Sequence, residues 1–194
     1  MQIEPITLVG RTVRLVPLSE AHVPALARVG LDDAIWRLMR YGDIRTEADM
    51  RGFVVNLLHK QGQGTDLPFA VVLLASGQPI GCTRYMNIDR EDRSLEIGGT
   101  WYGVAYQGSG INTECKYLLL QHAFETLGCI RVHFKTDARN EHSQRAIERL
   151  GAVREGLVRN HVILPDGFIR SSVIYSILAE EWPQVKANLE KKTA

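Results

Sequence analysis

The chain has 194 residues, 45% of them apolar, and its 23 basic and 22 acidic side chains leave a formal charge of +1. Length and composition predict one globular domain over residues 1–194, with its core at about 12–178 and a polar tail at 180–194. The charge balance carries no nucleic-acid or membrane footprint, and no apolar run approaches the roughly 20 residues that cross a bilayer. Residues 12–18 alternate as a strand that closes at Pro17. Ser19 then caps a short helix through Ala21, Val23, Leu26 and Ala27. A second helix opens at Thr46, where Asp49 completes a capping box, and it presents Met50, Phe53, Val54, Leu57 and Leu58 on one face. Residues 69–75, 79–88 and 94–102 read as three strands, and the short turns between them imply an antiparallel meander.

The pattern then changes. A glycine-rich loop at 108–110 opens a long helix over 111–127, which Gly128 ends. Residues 130–135 form another strand. Asn140 caps a helix running to Leu150, closed by Gly151. Residues 153–163 and 168–178 flank Pro165-Asp166-Gly167 as a terminal hairpin, and a polar helical tail follows Trp182. The order is strand, two helices, three strands, helix, strand, helix, two strands. It predicts an α/β (α+β) fold, with a mixed, mostly antiparallel sheet of about seven strands and helices on both faces. Three cysteines (Cys82, Cys115 and Cys129) without a CxxC spacing predict neither a disulfide framework nor a zinc site. Reduced thiols and an N-terminus without a signal peptide predict a cytoplasmic protein with no metal.

The chemistry concentrates at residues 101–114. A strand delivers the chain to Gln107-Gly108-Ser109-Gly110, and the helix begins at once with Ile111-Asn112-Thr113. Glycines let backbone amides approach an anion, and a helix start offers unpaired N–H groups and a positive dipole end. The pattern suits a pyrophosphate, with Ser109 and Thr113 as further hydroxyl donors. It lacks the lysine of a Walker loop. Gly108, Gly110 and Thr113 give G-x-G-x-x-T, a partial dinucleotide fingerprint in the wrong place after a meander. A glycine-rich turn without a ligand stays open on the loop alone.

Two motifs at this distance resemble the GCN5-related N-acetyltransferase (GNAT) superfamily, and within it the ribosomal-protein alanine N-acetyltransferases (RimJ/RimL-like). Gln107 and Gly110 match its Gln/Arg-x-x-Gly-x-Gly/Ala loop, with Asn112 where a small residue is usual. Asn140-Glu141-His142-Ser143, leading to Leu150-Gly151, matches its second motif. The resemblance covers about residues 12–178. It implies a three-layer fold whose sheet splays at its centre, between the strand ending at Trp101-Tyr102 and the strand at 130–135. It implies acetyl-CoA as acyl donor and an amine acceptor, a protein N-terminus or a small molecule, with a homodimer common in the family. By the same resemblance Gln107 to Thr113 hold the pyrophosphate, while Tyr102, Val104 and Asn140 hold the pantetheine arm. Direct attack of the amine in a ternary complex needs a base, an oxyanion donor and a proton for the thiolate. Ile147 stands where many relatives carry an acidic tyrosine, so Ser143 is the residue assigned to the leaving sulfur. Glu96, between apolar neighbours, is expected either to have a raised pKa and act as base or to be structural. The branch's usual glutamate falls at Val162, which leaves the adjacent His161 as a second candidate base. Cys115, His122 and Met39 read as core. Trp36 reads as core or acceptor pocket, and Arg145 and Arg149 as solvated or phosphate-facing. The missing tyrosine and glutamate leave a non-catalytic acyl-CoA sensor as the rival, and the partial fingerprint leaves a nicotinamide-dependent enzyme.

Overall fold

The computed structural model describes residues 1–193. Its strands are β1 (Leu8–Val9), β2 (Val13–Pro17), β3 (Leu67–Leu73), β4 (Pro79–Asp89), β5 (Ser94–Tyr102), β6 (Arg131–Asp137), β7 (Val153–Ile163) and β8 (Ile169–Leu178). They form a single sheet in the order β1-β2-β3-β4-β5-β6-β8-β7. Every neighbouring pair is antiparallel except β5 and β6, which run parallel. The expected mixed sheet is therefore present with eight strands rather than seven. The added β1 is two residues long, too short for an alternation to reveal. A hairpin turn at Gly10 holds it on β2, and Glu114 accepts from the amides of Arg11 and Thr12.

The helices are α1 (Val23–Gly30), α2 (Asp33–Trp36), α3 (Glu47–Gly62), α4 (Ile111–Gln121), α5 (Glu141–Arg149) and α6 (Trp182–Thr193). Three start where short polar side chains accept from first-turn amides: Asp32 for α2, Thr46 with Asp49 for α3, and Asn140 for α5. Ser19 heads a single 3-10 turn that precedes α1, and α2 is a short helix that the sequence did not announce. The long helix expected over 111–127 is α only to Gln121, and His122–Thr126 continues it as a π turn. Among the described residues no helix is long and apolar enough to cross a membrane.

Two apolar layers flank the sheet. On one face α1 and α3 pack Val23, Leu26, Phe53 and Val54 against Val72, Cys82 and Trp101. On the other α4, α5 and α6 pack Ile111, Cys115, Leu119, Ile147 and Leu189 against Val71, Leu95, Ile97 and Tyr102. The terminal segment is thus more than a polar tail, since Trp182, Val185 and Leu189 join the core. Each buried large aliphatic or aromatic side chain contributes roughly 1.5–3 kcal/mol relative to exposure.

One irregularity decides how β5 faces its neighbours. Against β4 the pairing passes from Arg84↔Gly98 to Cys82↔Trp101, so β5 carries one extra residue at Gly98-Gly99-Thr100. Gly99 sits at φ +56°, and a Cβ there would meet the Tyr41 hydroxyl at 2.9 Å and the Arg84 guanidinium carbon at 3.0 Å. The bulge reverses the alternation. Leu95 and Ile97 face the α4 layer before it, and Tyr102 does so after it, while Trp101 is turned to the opposite layer.

Candidate active site

The parallel pairing of β5 and β6 lasts for three residues, ending at Glu96↔His133. Beyond it the strands diverge, and the edges that face each other have no partner strand within the sheet. A cavity of about 640 Å³ opens there and passes from one face of the sheet to the other. The expected splay, between the strand ending at Trp101-Tyr102 and the strand at 130–135, is present.

One half of the cavity is built by β5, the loop after it, α4 and α5. Tyr102, Gln107, Gly108, Gly110, Asn112, Thr113, Asn140 and Ser143 all line it. Gly108 and Gly110 lie at φ +74° and +82°, with open space where a Cβ would point. Left-handed Gly110 is the N-cap of α4 and has no side chain to offer the first-turn amides. Among helices α2 to α5, α4 alone lacks a side-chain cap. Its unpaired N–H groups and positive dipole end face the opening. The geometry fits a pyrophosphate, and nothing in the loop obstructs one.

Several side chains have firmer duties than the sequence suggested. Ser109 Oγ donates to the Tyr106 carbonyl at 2.6 Å and does not line the cavity, so it is not a spare phosphate donor. Gln107 Nε2 donates to the Tyr102 carbonyl at 3.1 Å, which folds the loop back onto β5. Asn112 does not crowd the loop, because its Oδ1 is 3.3 Å from the Tyr102 hydroxyl. Val104 lies in a 3-10 turn, accepts from the Gln107 amide and borders a separate surface groove with Arg28 and Val29. Ile111 is buried core. Asn140 caps α5 by accepting from the Ser143 amide at 3.0 Å, with its Nδ2 left uncommitted among the described residues. The Ser143 hydroxyl likewise has no partner among them, and Ser143 faces the cavity.

The other half is built by residues 37–41, the β5 bulge, β6 and the start of β8. Glu96 is 2% exposed. It accepts from Asn87 Nδ2 at 2.7 Å and lies 3.1 Å from Lys135 Nζ and 3.5 Å from His133 Nε2. Burial pushes its carboxyl up, but the His133 hydrogen bond and the Lys135 ammonium outweigh that and leave it lowered. The expectation of a raised pKa is overturned, because the apolar neighbours in sequence, Leu95 and Ile97, point to the opposite face. His161 is hydrogen-bonded to Ser172 Oγ at 3.0 Å and sits beside the cavity rather than in its lining. Burial, then the charges of Lys135, Arg170 and Arg40, hold its imidazole below the usual histidine value. Trp36 is 2% exposed, donates to the Gly30 carbonyl and packs among Tyr41, Phe53 and Trp101. It is core, while its neighbours Arg37, Met39, Arg40 and Tyr41 reach the cavity. Cys115 is core, its thiol pushed up to about 12 by burial, and His122 stacks on Tyr85. Arg145 pairs with Glu141 on an exposed face, whereas Arg149 lines the cavity.

The sequence reading missed Lys116. It lies on α4, is 6% exposed and lines the cavity. Its Nζ donates to Thr100 Oγ1 at 2.6 Å, and Thr100 is linked to Thr83 at 2.8 Å. Burial lowers its pKa to about 8, partly opposed by Cys115 and then Glu96. The signal was there: position 116 falls on the helix stripe of Asn112, Leu119 and Leu120, where a solvated lysine has no place. Lys135, Asp137 and Arg170 were missed as well.

Residues 12–153 match the family model described as "Acetyltransferase (GNAT) domain". The "Putative ribosomal N-acetyltransferase YdaF" of Bacillus subtilis (strain 168) is 34% identical over 110 residues, which cover 57% of this chain and 59% of that protein. The chain therefore spans somewhat under two thirds of that relative's length. Among solved structures, a "putative acetyltransferase" from T. thermophilus is 43% identical with a TM-score of 0.90, and the match covers 99% of each chain. "Mycobacterium smegmatis RimJ in complex with CoA-disulfide" is 25% identical with a TM-score of 0.82, covering 97% of this chain and 95% of that one.

Proposed function

The chain belongs to the acetyltransferase (GNAT) family, as an N-acetyltransferase that uses acetyl-CoA, and from that premise we propose that it acetylates a primary amine by direct attack within a ternary complex. One observation carries the reading. The uncapped, glycine-led start of α4 and the unpaired edges of β5 and β6 open into one cavity. A pyrophosphate on the Gln107–Thr113 loop places the pantetheine arm along those edges, where Tyr102 and Asn140 Nδ2 face it. Val104 takes part through its free amide at most, since its carbonyl is committed. The YdaF and RimJ likenesses support a protein N-terminus as acceptor, and a small amine fits the same opening.

The acceptor arrives as an ammonium and must lose a proton. Lys135, Arg40 and Arg170 line the acceptor half, and their field disfavours a further cation. The same field keeps His161, beside the cavity, unprotonated near neutral pH, and we assign it the proton-accepting role through one intervening water. Glu96 is a positioning residue, holding Lys135 and His133 rather than taking the proton. The uncommitted Ser143 hydroxyl is assigned to the leaving thiolate. Uptake of acetyl-CoA by calorimetry and thiol release across an amine panel test the reading. Acetyl-CoA binding with no turnover on any amine would select the non-catalytic sensor. NAD binding in place of acetyl-CoA would select the nicotinamide enzyme.

A further inference from the structure

The acceptor half holds more cation than its carboxylates neutralise. Arg170 is 8% exposed; its Nε donates to Ser172 Oγ at 3.0 Å, and the nearest carboxylate oxygen, on Asp137, is 4.0 Å away. That carboxylate is already closed by Arg139, at 2.7 Å to the guanidinium and 2.8 Å to the backbone amide. Glu96, the other acid in the cavity, is closed by Lys135, His133 and Asn87. Arg40 and Arg37 reach the same cavity from residues 37–41, and neither has an ion-pair partner among the described residues. Lys116 enters from α4 with only a hydroxyl as its partner among the described residues. Burial first, then the charges of Arg40 and Arg139, disfavour the charge on Arg170, against Asp137 and Glu96, which favour it. A guanidinium taken out of water in such company calls for an anion.

We propose that the acceptor is an amine that also bears an oxyanion, a carboxylate or a phosphate, seated on Arg170 and Arg40 beside the transferred group. The inference rests on the acetyl-transfer reading above and names its substrate class. Planar guanidinium groups match both oxyanions bidentately. The anion supplies the charge that the cavity lacks, while the surrounding cations favour the neutral, nucleophilic form of the amine.

Thiol release from acetyl-CoA by the full chain is measured with matched pairs: phenylalanine against phenethylamine, phosphoethanolamine against ethanolamine, and peptides beginning Ala-Asp against Ala-Asn. The anionic member of at least one pair is expected to show a kcat/KM higher by roughly tenfold to a hundredfold, carried by KM. Which pair responds tells carboxylate from phosphate. Arg40→Gln and Arg170→Gln should each collapse that preference without changing the calorimetric affinity for acetyl-CoA. Arg40 is exposed, so its variant stands as the test even if the buried Arg170 variant fails to fold. Absence of a preference in every pair, or a preference that survives Arg40→Gln undiminished, overturns the proposal. Turnover of the neutral amines in that event leaves acetyl transfer standing. Failure of acetyl-CoA to bind removes the reading beneath both.

Discussion

Replacing Lys116 by methionine should make the protein more stable. A lysine lowered to about 8 from an ordinary value near 10.4 carries its charge at neutral pH against a penalty of roughly 3 kcal/mol, at about 1.4 kcal/mol per unit. Methionine fills a similar volume without that penalty. It forfeits the hydrogen bond to Thr100, worth about 1 kcal/mol, although Thr100 keeps Thr83 as a partner. The net expectation is about 2 kcal/mol, or roughly 4–8 °C in Tm for a chain of this size. The pH dependence has a definite sign. Between about pH 8 and the unfolded lysine value, the unfolded chain binds the proton and the folded chain does not, so native stability climbs with pH across that window. The variant lacks the climb. Urea unfolding at pH 7 and at pH 9.5 reads both effects, with a higher midpoint for Lys116→Met at pH 7 that converges on the parent at the higher pH. Equal or lower stability at pH 7, with the same pH slope in both proteins, would refute the reasoning. Turnover of the variant should fall, since the cation that lines this cavity is lost.

Gly110→Ala forces a Cβ onto a residue at φ +82° and should cost about 1–2 kcal/mol of loop strain, seen calorimetrically as roughly tenfold weaker acetyl-CoA binding. Glu96→Gln leaves Lys135 and His133 without their anion and should lower stability by about 1–3 kcal/mol by urea denaturation. Because the Glu96 carboxyl is lowered, its contribution is present above the unfolded carboxylate value and is lost as pH falls through the folded one, so parent and variant should converge in acid. The parent's kcat/KM should decline as pH drops through a value below the ordinary histidine range, and His161→Ala should erase that limb and lower the plateau. A limb unmoved in His161→Ala would reassign the base.

The loop-and-helix half of the cavity, proposed to hold the cofactor, was legible as structure because it depends on local rules. Gly108 and Gly110 had to be glycine to reach positive φ, and Asn140 had to cap a helix wherever α5 went. Their spacing in sequence therefore survives folding. The acceptor half depends on which face a side chain takes, and two features hid that. On β6, Arg131, His133 and Lys135 alternate with buried Val132 and Phe134, a pattern that reads as a solvated face. The divergence of β5 from β6 turns part of that face into cavity wall. On β5 the extra residue at the Gly98-Gly99 bulge inverts the alternation, so Trp101 and Tyr102 stand on faces opposite to those that Leu95 and Ile97 predict. Lys116 is hidden because a lysine within a helix is ordinarily solvated, whereas this one is buried on the core-facing stripe of α4. Ser109 is the opposite case, since its hydroxyl looked available and has a backbone carbonyl for its hydrogen, while Trp36 is the core residue its sequence most simply indicates.

The three-residue contact between β5 and β6 makes this sheet two sheets with a narrow seam. On the proposed reading, an acyl donor laid along the seam would serve as the missing rung as well as a reagent, so donor affinity and the cohesion of the two halves would be one linked quantity. Amides of β6 past His133 that face the opening, rather than the partner strand β8, should then exchange hydrogen slowly only while the donor is held. Release of the spent carrier would loosen the protein at the place where the next acceptor has to enter.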